Sequence, residues 1–133
     1  MIGGQLTWHV AIERGRTPWD HVLAFAFDGR SWVVVDPHVR WVEVFTLAPG
    51  EPFDAWVHDL AGRAEIYRLP GRAESHPLAG FGCVGIVKRL VGLRSGAFSP
   101  AGLRRDLVRQ GAMQVFVRED QGPEGRSGRR RCS

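Results

Sequence analysis

Residues 21–37, HVLAFAFDGRSWVVVDP, constrain the fold more than any other stretch. Two runs rich in β-branched and aromatic residues flank Asp28-Gly29-Arg30, and Asp-Gly between such runs is a strong hairpin signal. Facing Phe27 with Trp32 sets Phe25 opposite Val34, Leu23 opposite Asp36 and His21 opposite His38. Side chains alternate along a strand with a period of two, so His21, Asp36 and His38 share one face of the hairpin. A slip of two residues would put Asp36 directly opposite His21. Either register gives His21 a polar partner from the neighbouring strand.

Other segments extend this sheet. QLTWHVAIE, residues 5–13, alternates as a strand, and Val39 to Leu47 alternates again before Ala48-Pro49-Gly50 breaks it. Phe53, Trp56, Val57 and Leu60 fall on one face of a short amphipathic helix over 52–62. Ala64 to Pro70 reads as a short strand, and Gly71 to Gly82 as a polar loop. Cys83 opens an apolar, helix-like run that ends near Gly92. Ser99-Pro100 is an N-cap followed by proline at the first helical position. The helix it starts, Pro100 to Gln110, buries Leu103 and Leu107 and exposes Arg104, Arg105 and Arg109. Met113 to Glu119 is a last strand. Residues 120–133 lack apolar content and are expected to be disordered. The reading is a single α+β domain over residues 1–119, with an antiparallel sheet from 5–13, 21–27, 31–36 and 39–47 and the Cys83 helix packed on it.

Composition removes several function classes. The chain of 133 residues carries 18 basic and 14 acidic side chains. Of the net charge of +4, half comes from the tail, where four arginines outnumber Asp120 and Glu124. No basic face with interleaved aromatics remains in the body, which argues against nucleic acid as the main partner. No apolar stretch approaches membrane-spanning length, and the N-terminus lacks the charged start and apolar run of a signal peptide. Two cysteines, Cys83 and Cys132, do not make a disulfide framework. These features point to a cytoplasmic chain, or one carried inside a larger particle.

The first turn of a helix is a setting in which unpaired N–H groups and the dipole favour thiolate. Cys83, Ile86, Val87 and Leu90 recur at helical spacing, so the thiol is expected to point inward. The competing reading of Cys83 is a small buried core cysteine. A cysteine nucleophile needs a base within reach, and the base needs an orienting group. His21 is the candidate base, against a plain role capping the sheet edge, and Asp36 or His38 is the candidate orienter. Asp36 is favoured because a carboxylate both fixes the ring and stabilises the imidazolium. His9 alternates with apolar positions and reads as structural, His58 as solvated, and His76 as a possible substrate contact. A zinc site from Cys83, His21 and His38 has no C-x-x-C or H-x-x-x-H spacing behind it, so no metal or cofactor is expected.

The order of a histidine strand, a paired strand with a polar residue and a downstream cysteine helix resembles the circularly permuted NlpC-like branch of the papain-like fold. HVLAFAFDGRSWVVVDP followed by CVGIVKRLVGLRSGAFSPAGLRRDL is similar, more closely, to a family of small phage and prophage proteins. Its pattern is a histidine-led hairpin ending in Asp-Pro, a Cys-Val helix with a following lysine, and a Thr/Ser-Pro-x-x-Leu helix. The resemblance spans about residues 5 to 110. It implies Cys83 as nucleophile, His21 as base and Asp36 or His38 as orienter, with Gln5 and the Cys83 backbone N–H as possible oxyanion donors. The implied activity is a cysteine hydrolase or acyltransferase acting on an amide or ester, such as a cell-wall peptide. The alternative is a non-enzymatic phage accessory or assembly protein that keeps the fold and binds other phage proteins. A nucleic-acid accessory using the arginine tail is a third. The location implied is the bacterial host cytoplasm or the virion.

Overall fold

The computed structural model of the chain describes residues 6–15, 20–38, 40–69, 82–93 and 95–117. Six strands and three helices follow one another as β1 (Trp8–Glu13), β2 (His21–Phe27), β3 (Trp32–Pro37), β4 (Val42–Leu47), α1 (Glu51–Ala61), β5 (Ala64–Arg68), α2 (Gly82–Val91), α3 (Pro100–Arg109) and β6 (Met113–Val115). The strands form one sheet in the order β4-β3-β2-β1-β5-β6, every neighbouring pair antiparallel. The protein is α+β, as expected, and the sheet extends past β1 by two strands. Helix α1 carries the chain from one edge of the sheet back across it to β5.

The hairpin of β2 and β3 has the expected register, with Phe27 opposite Trp32 and Phe25 opposite Val34. Its turn is built locally. The Asp28 carboxylate accepts from the backbone N–H groups of Arg30 and Ser31, each at 2.8 Å, and Gly29 takes a φ of +102° that favours glycine. Both bonds hold the Asp28 carboxyl below its ordinary range.

The sheet is covered on both faces, so its central strands are apolar on both sides. Ala11, Leu23, Phe25, Val34 and Ile66 pack against Phe53, Val57, Leu60 and Ala61 of α1. Val10, Ile12, Val22, Ala24, Ala26 and Tyr67 pack against Val84, Val87 and Val91 of α2 and Leu103 and Leu107 of α3. Trp32 stacks on Phe53, ring centroids 3.9 Å apart, and ties the hairpin to α1.

Several elements differ from expectation. Four strands are shorter than the pattern suggested: the first begins at Trp8, the fourth at Val42, the fifth ends at Arg68 and the last at Val115. The last stops because Phe116 takes a left-handed φ of 56°, which breaks an extended run. Helix α2 buries Val84, Gly85, Val87, Lys88 and Val91, not the line through Cys83, Ile86, Val87 and Leu90, whose other three members are only half-buried. The face is rotated because Lys88 goes inside, its ammonium donating to the carbonyls of Ser95 at 2.9 Å and Ala97 at 2.7 Å. In α3 the Ser99 hydroxyl caps the Gly102 N–H as expected. Arg104, expected in solvent, turns back to Glu65 at 2.6 Å. Asp106 is buried and is held by Ser95 and Arg109. Of the loop expected over Gly71 to Gly82, Gly82 instead opens α2; residues 71–81 and the tail over 120–133 lie outside the described residues.

Candidate active site

His21 is the first residue of β2, and Asp36 is the last but one of β3. The hairpin brings them together: Asp36 Oδ1 lies 2.6 Å from His21 Nε2. Of the two candidate orienters, Asp36 is therefore the one hydrogen-bonded to the ring. His38 instead stacks on it, centroids 5.6 Å apart, and stacks on Trp41 at 4.7 Å on another side. The His38 backbone N–H donates to the Trp41 carbonyl at 2.7 Å, which fixes the turn carrying the ring.

Cys83 is the second residue of α2 and a free thiol. Gly82 before it has a φ of +75°, a conformation glycine adopts without strain, and this turns the chain into the helix. The thiol lies close enough to the His21 ring to act on its charge. That contact is the leading cause that raises His21 from 6.5 to about 9; burial opposes it, and the bond and charge of Asp36 add to it. A neighbouring sulfur and a carboxylate thus both favour the imidazolium form. With Nε2 taken by Asp36, Nδ1 is the nitrogen left for the thiol.

Strand alternation puts His21 on the side of Leu23 and Phe25, which α1 covers, whereas Cys83 packs at the margin of the cluster under α2 and α3. The two meet at the end of the sheet, where each stands at the start of its element. The site is a rim and not a face. His21 and Asp36 keep 24% and 20% of their side-chain surface open.

Three further side chains belong to this rim and escaped the sequence reading. Glu13 faces His21 across β1 and β2 and has Arg63 at 3.7 Å; burial raises its carboxyl, against the pull of Arg63. The register of β1 on β2 would have revealed it. Trp41 and Glu43 are brought in by the turn into β4, with Glu43 Oε1 3.5 Å from His38 Nε2. That nitrogen is buried without a hydrogen-bond partner, although Asp36 Oδ2 is 3.6 Å away. The ligand atoms of His21, Asp36 and His38 all lie within 4.8 Å of one another, so these three, without Cys83, are the side chains placed to hold a metal.

His9 is structural, as expected: it is buried against Phe25, centroids 5.0 Å apart and nearly parallel. Burial lowers it to about 4. His58 is exposed on α1, as expected. Gln5, His76 and Cys132 lie outside the described residues. No helix among the described residues is long and apolar enough to cross a membrane.

The chain matches no family model, no curated protein and no solved structure.

Proposed function

We propose that the chain is a cysteine hydrolase or acyltransferase of the circularly permuted NlpC-like, papain-like kind, with Cys83 as nucleophile, His21 as its proton carrier and Asp36 as orienter. The observation that carries this is the His21 ring, bonded through Nε2 to Asp36 at 2.6 Å and raised by the neighbouring Cys83 thiol. Cys83 sulfur attacks the carbonyl carbon of an amide or ester, and the new S–C bond gives a tetrahedral adduct. The proton lost by the thiol is carried on His21 and passes to the leaving amine or alcohol as the C–N or C–O bond breaks. Water, or an acceptor amine or hydroxyl, then resolves the thioester. The Cys83 backbone N–H, at the start of α2, is the available oxyanion donor. A cell-wall peptide is the substrate class that the resemblance to phage proteins suggests.

The test is labelling by an alkylating thiol probe near neutral pH, in a chain carrying Cys132→Ser. Cys83 is expected to label fast, Cys83→Ala to abolish labelling, and His21→Ala to slow it sharply. Equal labelling with and without the His21 ring would end the proposal.

A second reading, a binding or assembly module, is favoured by the edge strand. Trp41, just before β4, and Val42 and Val44 on it are 60%, 44% and 61% exposed, and β4 is an edge strand of the sheet among the described residues. In that reading the rim is inert, and the labelling experiment decides between the two.

A further inference from the structure

We propose that His21 Nε2, Asp36 and His38 Nε2 form a binding site for a divalent transition-metal ion of the zinc type. Two independent observations support it. The three ligand atoms converge within 4.8 Å, and the His38 Nε2 is buried with no hydrogen bond. Asp36 Oδ2 at 3.6 Å and Glu43 Oε1 at 3.5 Å face that nitrogen without bonding it, a spacing that an ion between them would fill.

The dimensions fit. Four ligands at zinc bond lengths around a tetrahedron stand about 3.4 Å apart. Asp36 Oδ2 and His38 Nε2, at 3.6 Å, already have that spacing. His21 Nε2 and Asp36 Oδ1, at 2.6 Å, must open by less than an ångström as the ion replaces the proton between them. Two imidazoles and a carboxylate suit a borderline divalent ion and leave a position for water. Glu43 Oε1, 3.5 Å from His38 Nε2, is placed to approach that ion from the solvent side. His38 has its ring aimed in advance by Trp41 stacking and by the backbone bond to Trp41, the kind of outer support that metal-binding histidines need. Asp36 and Glu43 beside His38 give this end of the rim negative charge for a dication to offset.

The ligand set does not include Cys83. An ion on Nε2 leaves one proton on the ring, at Nδ1, so the ring cannot accept the thiol proton. The ion and the Cys83 reaction thus compete for His21. Only this competition rests on the proposed function; the site itself does not.

The experiment is a calorimetric titration of the full chain carrying Cys132→Ser with Zn²⁺, beside visible spectroscopy with Co²⁺. One equivalent is expected to bind, with no sulfur-to-cobalt charge-transfer band. Cys83→Ala is expected to keep the affinity. His38→Ala is expected to lose at least about tenfold, and so is Asp36→Asn, which keeps the side-chain shape if His38→Ala fails to fold. Absent saturable binding, affinity unchanged in both variants, or a thiolate band lost with Cys83→Ala would each overturn the proposal. Probe labelling of Cys83 in chelator separates the two readings. Labelling that depends on His21 without zinc binding removes only the metal site, and zinc binding without such labelling removes only the cysteine reaction.

Discussion

His9 and His21 lie on adjacent strands, and alternation turns both toward the α1 side of one sheet, yet their rings behave in opposite ways. Burial pushes His9 down to about 4, while Cys83 and Asp36 hold His21 up to about 9 against the same force. The neighbours make the difference. His9 has the rings of Phe25 at 5.0 Å, Trp32 at 5.7 Å and Phe116 at 5.7 Å, and only backbone groups of Phe25 and Thr7 to set against burial. His21 has a carboxylate and a thiol. Desolvation acts on both histidines, and whether a ring stays charged depends on the partners delivered to its two nitrogens.

The largest test of that contrast removes the carboxylate. Asp36→Asn keeps the shape and deletes the charge beside His21. Cys83 labelling is expected to slow by on the order of 100-fold, the range in which a positioned acid–base group acts, with the fold unchanged by circular dichroism. His38→Ala, which removes a ring stacked on His21 but not bonded to it, is expected to change labelling less than about threefold. The reverse ranking would make His38 the orienter.

The next test concerns the neutral ring. His9 has a folded value near 4 against 6.5 when unfolded, so as pH falls the unfolded chain takes up the proton first. Stability is intact above about pH 6.5, is lost progressively between 6.5 and 4, and levels off below, for a total of at most roughly 3 kcal/mol. Denaturant melts of wild type and His9→Phe across this window measure it. If the acid loss is the same in both, His9 is not its source.

Lys88 extends the comparison to a third buried ionisable side chain, one whose charge is matched by two carbonyls. Lys88→Met leaves the Ser95 and Ala97 carbonyls unpaired and is expected to cost about 2 kcal/mol in a denaturant melt. Lys88→Arg is not expected to restore it, because a planar fork cannot occupy the place of a compact ammonium. Full recovery with arginine would mean that charge alone suffices. The chain has one lysine among 18 basic residues, and it stands at this position.

The smallest expected effect is deletion of residues 120–133, which contain no aromatic or large aliphatic side chain. Thermal stability is expected to change by less than about 1 kcal/mol. A drop of many degrees would show that this segment docks on the body.

Much of the site was legible because a hairpin is local. Asp28 and Gly29 define the turn, the turn defines the register, and a period of two then puts His21 and Asp36 on one face. The Ser99 cap was readable for the same reason, being a bond between residues three apart. The buried stripe of α2 was not. Two stripes of its sequence are almost equally apolar, and the one that goes inside contains a lysine, which periodicity assigns to solvent. Only the carbonyls of Ser95 and Ala97, delivered by the next loop, make that burial affordable.

By itself the sequence determined the hairpin, its register and the start of the cysteine helix, since these follow from dihedral preferences and side-chain period over a few residues. The tertiary structure alone decided that α2 turns Cys83 to the rim beside His21, that His38 stacks while Asp36 bonds, and that His9 sits among aromatics while His21 sits among polar groups. Those outcomes depend on burial and on partners from distant segments, and neither is present in the chain until it packs.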